Sequence, residues 1–210
     1  MPRLPAPATP GIVAAARQQP NVVLLSYNVS LFDHLGWADT FASRQWDARQ
    51  RAYARAWGRN NLYTPMVVAN GAVDGPGTGT ATGTDAQPAG VAGLVAQSRQ
   101  GAEATGWHVY VDANATDVRI DSDRQVGEVG PYDIVVVVYD PAPQTVKVKK
   151  GPNKGTKMEH VNLVQDVAKI GEWNGGDVTV QLPAPVPAGR EAVVVLQAPA
   201  GGPIVGAAKI

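Results

Sequence analysis

The chain has 210 residues and is 44% apolar, so it is long enough and apolar enough to bury a core. Its 18 basic and 18 acidic side chains give a formal net charge of zero, which removes the electrostatic reason to expect nucleic acid or an anionic membrane as a partner. The sequence contains no cysteine, and this excludes disulfide bonds, thiolate metal sites and a thiol nucleophile in this polypeptide.

The start of the chain is rich in proline and is predicted to form a tail over residues 1–10. A short helix is predicted over Ile12–Gln19, and Pro20 ends it. The β-branched and apolar composition of Asn21–Asn28 predicts a buried strand. No apolar run approaches the roughly 18 residues of a membrane-spanning helix, and residues 1–20 lack an apolar core of signal-peptide length.

The strongest helix signal covers Thr40–Trp57. Ser43 is a candidate N-cap, and Gly58 can end the helix in a left-handed conformation. Three aromatic side chains recur at helical spacing and predict a buried face: Trp46, Tyr53 and Trp57. The other face of the helix holds four arginines, and a fifth lies just past its end. They are expected to be solvated rather than to bind an anionic partner: Arg44, Arg49, Arg51, Arg55 and Arg59.

A strand is predicted at Met66–Val68, directly after the Tyr63-Thr64-Pro65 step. The low-complexity segment over residues 72–90 is predicted to be a flexible surface loop, and its glycines lack the flanking residues of a nucleotide-binding loop. Helical spacing resumes over Val91–Ala104.

From Trp107 onward the sequence alternates apolar runs with turn residues and predicts a β-rich region. The run Val135–Val138 lacks alternation, so both faces of its strand are expected to be covered. The segment Met158–Ile170 has spacings that suit either a helix or a strand, and a strand is favoured. The predicted strands are Trp107–Val111, Val118–Ile120, Tyr132–Tyr139, Thr145–Lys149, Val178–Leu182, Ala192–Leu196 and Ile204–Ala207.

Several stretches, in this order, resemble the domain of unknown function 1223 family, a thioredoxin-like group. They are LSYNVSLFDHLGWADTFAS, RQRAYARAWG, YTPMVVANG, and KKGPNKGTKMEHVNLV followed by GEWNGG. The resemblance covers about Val22–Gly176. It implies an α/β thioredoxin-like domain over residues 1–105, followed by a mainly antiparallel β portion over residues 106–210.

Family members are expected to begin with a strand and a Cys-x-x-Cys pair, and this sequence lacks both. The missing strand would lie between those at Val22 and Met66, so its absence would leave them about 10 Å apart. The gap could be closed by direct pairing of these two strands, by a segment of residues 1–10, or by a strand from another chain, which would make the protein an oligomer. Alternatively, the natural N-terminus lies upstream.

The resemblance implies a site at Tyr63, Thr64 and Pro65. In thioredoxin-like proteins the backbone before a cis proline pairs with an extended substrate. A cis Thr64–Pro65 bond and a peptide-binding cleft are therefore expected, whereas the bare sequence favours an ordinary X-Pro turn.

A second group of candidate residues lies in the loop 32–39, where Asp33, His34 and Trp37 occur close together. A histidine beside a carboxylate could transfer protons or bind metal. Adjacent side chains diverge, however, and the favoured interpretation is that Trp37 packs while Asp33 and Asp39 cap turns. No metal or other cofactor is predicted, and His34 near Pro65 is the best candidate for a polar site residue.

Two functions fit these observations. The first is a non-catalytic thioredoxin-like module that binds a peptide or protein in the cleft near Pro65. The second is a truncated form of a thiol-disulfide oxidoreductase whose cysteines lie upstream of Met1. The expected location is cytoplasmic by default, or extracytoplasmic if the N-terminus is truncated.

Overall fold

The computed structural model describes residues 9–31, 33–78, 90–151 and 154–210, and within them the fold is mixed α/β with mostly antiparallel sheets. The helices are Thr9–Arg17 (α1), Arg44–Ala56 (α2) and Val91–Glu103 (α3). The strands are Val67–Ala69 (β1), Val73–Gly75 (β2), Val109–Ala113 (β3), Asp117–Ser122 (β4), Tyr132–Asp140 (β5), Gln144–Lys147 (β6), Lys157–His160 (β7), Leu163–Trp173 (β8), Val178–Gln181 (β9), Glu191–Gln197 (β10) and Ile204–Lys209 (β11).

A four-stranded antiparallel sheet in the order β11-β10-β5-β8 forms the centre of the molecule. Successive residues of β5 point to opposite faces of this sheet. Ile134 and Val136 therefore contribute to one apolar cluster, while Val135 and Val137 contribute to another. The prediction that both faces of this strand are covered is confirmed.

A three-stranded antiparallel sheet in the order β3-β4-β9 packs on one face of the central sheet. The two sheets enclose the sandwich core, in which the Trp107 and Trp173 rings stack with their centroids 6.0 Å apart. The fully buried members of the sandwich core are Val118, Ile120, Ile134, Val136, Trp173, Ala192, Val194 and Leu196.

Helix α2 covers the other face of the central sheet. Trp46, which is 4% exposed, inserts its ring among the sheet's apolar side chains. The predicted helix ends are confirmed: the Ser43 hydroxyl accepts a hydrogen bond from Gln45 N–H, and Gly58 has a φ of +67°. This helix–sheet core consists of Trp46, Val135, Val137, Tyr139, Val164, Val193 and Val195.

A third and smaller apolar cluster, the N-terminal cluster, joins α1 to α3. Its buried members are Ile12, Ala16 and Val91. Leu24 and Val67 pack against it from two separate segments of the chain.

The predicted strand at Asn21–Asn28 is wrong. In this segment Asn21 has a φ of +56°, and a single parallel bridge, between Ser26 and Leu163, joins it to a strand. Strand β1 pairs antiparallel with β2, and within the described residues it forms no direct pairing with Asn21–Asn28. The physical reason is that an apolar sequence becomes a strand only where a neighbouring backbone completes its hydrogen-bond ladder.

The predicted loop over residues 72–90 begins instead with a strand, β2. Asn70 and Gly71 both have positive φ, +48° and +65°, and Ala72 N–H donates to Ala69 C=O at 3.0 Å. An Asn-Gly pair in this conformation forms the tight turn that favours a hairpin. Residues 79–89 of the predicted loop lie outside the described residues, as do residues 1–8 of the predicted tail.

The remaining predicted elements agree with the structure apart from shifts at their ends. Helices α1 and α3 are present, and the ambiguous segment Met158–Ile170 forms β strands, β7 and most of β8. Strands β6 and β7 pair antiparallel.

Candidate functional site

The predicted Tyr63-Thr64-Pro65 site lies between α2 and β1. Hydrogen bonds hold both the side chain and the backbone carbonyl of Tyr63. Its hydroxyl donates to Asp74 Oδ2 at 2.5 Å, and its carbonyl accepts from Gln50 Nε2 at 2.8 Å. Burial, together with the hydrogen bond to Asp74, raises the pKa of Tyr63. Thr64 is exposed beside it, Pro65 is half-buried, and the bond joining them is cis.

Arg59 completes this polar group by forming an ion pair with Asp74, whose side chain is 6% exposed. The Arg59 guanidinium also lies 4.8 Å from the centroid of the Trp57 ring. Hydrogen bonds and the ion pair therefore hold the Tyr63 side of the site in place, and Thr64 is exposed beside it.

Two apolar segments flank the N-terminal cluster beside this site. Val22–Leu25 lies outside regular secondary structure and is half-buried, and Leu24 C=O accepts from the side-chain amide of Asn162 at 2.8 Å. Strand β1 is also half-buried, and in the part of the chain that the structure describes its ladder partners all belong to β2. Leu24 and Val67 contact the same cluster from these two segments.

The second predicted group lies in a different hydrogen-bond network. Asp33 Oδ1 accepts from Asp39 N–H at 2.9 Å, and Asp39 Oδ1 accepts from Phe41 N–H at 2.9 Å, so both carboxylates stabilise turns of their own loop. His34 is exposed and Trp37 is half-buried. Asp33 therefore belongs with Asp39, whereas Tyr63 belongs with Asp74 and Arg59.

His160 is a residue of this second network that sequence reasoning missed. It is 7% exposed, its Nδ1 lies 3.1 Å from Asn28 Nδ2, and its ring packs edge-on against Phe41. The same Asn28 amide donates to Asp39 Oδ2 at 2.8 Å, so it also donates to Nδ1, and the ring proton of neutral His160 lies on Nε2. Burial lowers the pKa of His160, and this effect outweighs the opposing influence of the Asp39 charge.

The His160 Nε2 atom is buried and has no hydrogen-bond partner among the described residues. Asn28 and His160 are 132 positions apart in the sequence, so no local spacing could have related them. Asn28 and Phe41 also line a polar pocket of about 270 Å³ at the N-terminus of α2. No group of three or more potential metal-ligating side chains occurs in the described ranges.

Arg49 corrects the prediction of a uniformly solvated arginine face. It lies on the sheet side of α2, where its guanidinium carbon is 5.1 Å from the Tyr27 ring centroid and 5.2 Å from that of Tyr53. The other arginines within the helix, Arg44, Arg51 and Arg55, are exposed. A helix turns by about 100° per residue, which separates position 49 from positions 44, 51 and 55.

Comparison with known proteins places the chain among proteins of similar sequence and structure. The crystal structure of protein AGR_C_4864 from Agrobacterium tumefaciens superposes with a TM-score of 0.72 at 32% sequence identity, covering 98% of this chain and 87% of that one. No curated protein matches the chain. Of the helices in the described ranges, none combines the length and apolar character that crossing a bilayer requires. The sequence profile described as "Protein of unknown function (DUF1223)" matches residues 4–197, and the chain belongs to this family.

Proposed function

We propose that this protein is a thioredoxin-like peptide-binding module without redox chemistry. An extended segment of a partner protein adds a strand between Val22–Leu25 and β1, beside Thr64 and Pro65. We name this surface the edge groove. The observation that carries the proposal is that these two half-buried apolar segments flank one cluster without forming a ladder with each other.

The backbone of β1 supports strand addition. A strand paired on one side presents a row of unpaired N–H and C=O groups on its other side, and such an edge binds extended peptides in several domain families. Val22–Leu25 offers a second backbone segment beside the same cluster, against which Leu24 packs. A peptide strand between them would gain main-chain hydrogen bonds on both sides.

The side chains of the edge groove indicate what kind of peptide it would accept. Val22, Val23 and Val68 are apolar and only half-buried, although a central strand of a sheet is normally buried on both faces. Asp74, which pairs with Val68 in the β1–β2 ladder, and Arg59 already neutralise each other. The groove therefore fits an apolar segment rich in β-branched residues better than a charged one.

The hydrogen bonds that fix Tyr63 support the same proposal. Gln50 holds its carbonyl and Asp74 holds its hydroxyl, so the wall next to Thr64 is ordered before any peptide arrives. A preorganised wall lowers the entropic cost of binding. Because the chain has no cysteine, binding here involves no thiol exchange.

The proposal is tested with extended peptides selected from a random library and labelled with a fluorophore. Binding is measured by fluorescence anisotropy, and each selected peptide is compared with a copy N-methylated at alternate positions, which removes backbone donors but keeps the side chains. We expect N-methylation to weaken binding by about tenfold or more, because each lost main-chain bond contributes roughly 1 kcal/mol.

Protein variants then locate the site. Val68→Asp places a charge on β1 and is expected to weaken peptide binding. Val126→Asp is the matched control, because Val126 lies outside the edge groove and is 71% exposed, and it is expected to leave peptide binding unchanged. Equal binding by the Val68→Asp and Val126→Asp proteins, or equal binding of the methylated peptide, would rule out strand addition at the edge groove.

A further inference from the structure

Arg49 is held in a fixed position between two tyrosine rings. Its Nη2 donates to Tyr53 Oη at 2.9 Å and to Gln197 Oε1 at 2.8 Å. Gln197 is 4% exposed and is itself anchored, since its amide donates to Tyr53 Oη and to Gly202 C=O, both at 3.0 Å. The guanidinium plane is therefore oriented by the surrounding structure rather than by solvent.

The positive charge of Arg49 has no carboxylate partner among the described residues. Both acceptors of Nη2 are neutral, and Nε is buried without any partner. Asp47, the acidic residue of the same helix, is bound instead by the N–H and hydroxyl of Ser30 at 2.8 and 2.6 Å. A partly buried charge without a counter-ion is costly, and proteins usually pair such charges.

Two donors at this position remain available. Neither Arg49 Nη1 nor the Tyr27 hydroxyl has a partner within the described ranges, and both residues are half-buried rather than buried. Burial raises the pKa of Tyr27 to about 12, so its hydroxyl stays protonated at neutral pH and can donate. The Arg49 guanidinium lies over the Tyr27 ring, so the two donors belong to side chains that contact each other.

We propose that Arg49 and Tyr27 form a binding site for a carboxylate anion. Both Nη2 hydrogens are taken by Tyr53 and Gln197, so Nη1 is the charged donor left for a carboxylate oxygen, and the phenol adds a neutral donor. One fixed cation matches a single negative charge, whereas a phosphate dianion would need more positive charge than the site contains. The ligand is a small organic acid or the carboxyl terminus of a peptide, which share this chemistry.

The test uses sodium acetate as the probe, with acetamide as the neutral analogue and sodium chloride to keep the ionic strength constant. The Nε–Hε signal of Arg49 is followed by NMR in the intact protein. We expect a saturable shift with acetate and no saturable shift with acetamide or chloride. If N-acetylglycine saturates the shift at a lower concentration than acetate does, the ligand is a peptide terminus. If acetate saturates the shift at the lower concentration, the ligand is a small organic acid.

Variants locate the binding. Arg49→Met is expected to weaken acetate binding by about tenfold or more, because a charge-assisted hydrogen bond is lost. Arg51→Met removes an exposed arginine of the same helix and is expected to leave the affinity unchanged, while Tyr27→Phe is expected to weaken it severalfold. A shift that never saturates, or acetate binding to Arg49→Met as tight as to the native protein, would overturn the proposal. If Arg49→Met does not fold, the NMR titrations of native protein and Tyr27→Phe decide it.

Discussion

Individual polar side chains fix loops of this protein to its sheets. The burial of one of them, His160, makes the free energy of unfolding depend on pH. His160 is buried, and its pKa is lowered in the folded state. As pH falls below about 6.5, the unfolded chain binds a proton that folded His160 does not, so the stability present at neutral pH is lost on acidification. We expect urea unfolding between about pH 7 and pH 5 to show this loss.

The contribution of His160 is isolated by substitution. His160→Asn should show a smaller loss of unfolding free energy over that pH range than the native protein. His108→Asn is the control, since the His108 side chain is 72% exposed. An unchanged pH dependence in His160→Asn would show that other groups cause the acid sensitivity.

Asp74 gives a second prediction at this scale. Its nearly buried carboxylate binds both the Tyr63 hydroxyl and Arg59. Asp74→Ala leaves that hydroxyl without its acceptor and should lower the free energy of unfolding by about 1–3 kcal/mol. Asp121→Ala, which removes the partner of the exposed Arg119, should cost less than about 1 kcal/mol. Similar losses in the two variants, measured by urea titration, would contradict a structural role for Asp74.

Among the elements, α2 is positioned by a close backbone contact at its C-terminal half. Gly201 has a φ of +84°, and a Cβ atom there would lie 2.8 Å from the backbone of Ala52 and Tyr53. Gly201→Ala should therefore destabilise the protein through both conformational strain and steric overlap. Gly189→Ala is the matched control, because Gly189 has a φ of +75° and nothing within 4 Å of the added Cβ.

We expect Gly189→Ala to cost about 1 kcal/mol, and Gly201→Ala to cost at least about 1 kcal/mol more. Thermal and urea unfolding measure the difference. Equal effects would mean that the contact between α2 and the turn at Gly201 is loose.

The elements also show how far local sequence predicts structure. Both ends of α2 followed from Ser43 and Gly58, because helix caps act within a few residues. The Asn70-Gly71 turn was an equally local signal for the β1–β2 hairpin and could have been recognised. Asn21–Asn28 has the composition of a strand, but composition does not supply the neighbouring backbone that a strand requires.

At the scale of the whole molecule, the apolar clusters differ in size, and this predicts an order of stability. The sandwich core and the helix–sheet core share the central sheet, whereas the N-terminal cluster contains Ile12, Ala16 and Val91 as its buried members in the described ranges. Regions with few buried apolar contacts open before global unfolding. We expect amide hydrogen exchange in α3 and β1 to be faster than in β5 and β10.

This order can be checked by exchange mass spectrometry of the native protein. Occupation of the edge groove by a selected peptide should slow exchange in β1 and Val22–Leu25 and leave β3 unchanged. Equal protection of α3 and β5 in the free protein would show that the N-terminal cluster opens only with the whole fold.

The sequence by itself determined the absence of thiol chemistry, the helices, the β-rich second half and the doubly covered strand β5, because composition, caps and periodicity report local preference and burial. Only the tertiary structure decided that Val22–Leu25 does not pair as a strand, that Asn28 forms a hydrogen bond with His160, and that Arg49 packs against two tyrosine rings. Each of these depends on groups distant along the chain, whose approach is set by how the sheets and α2 pack together. The polar sites therefore arise from packing between elements, which no spacing within one segment encodes.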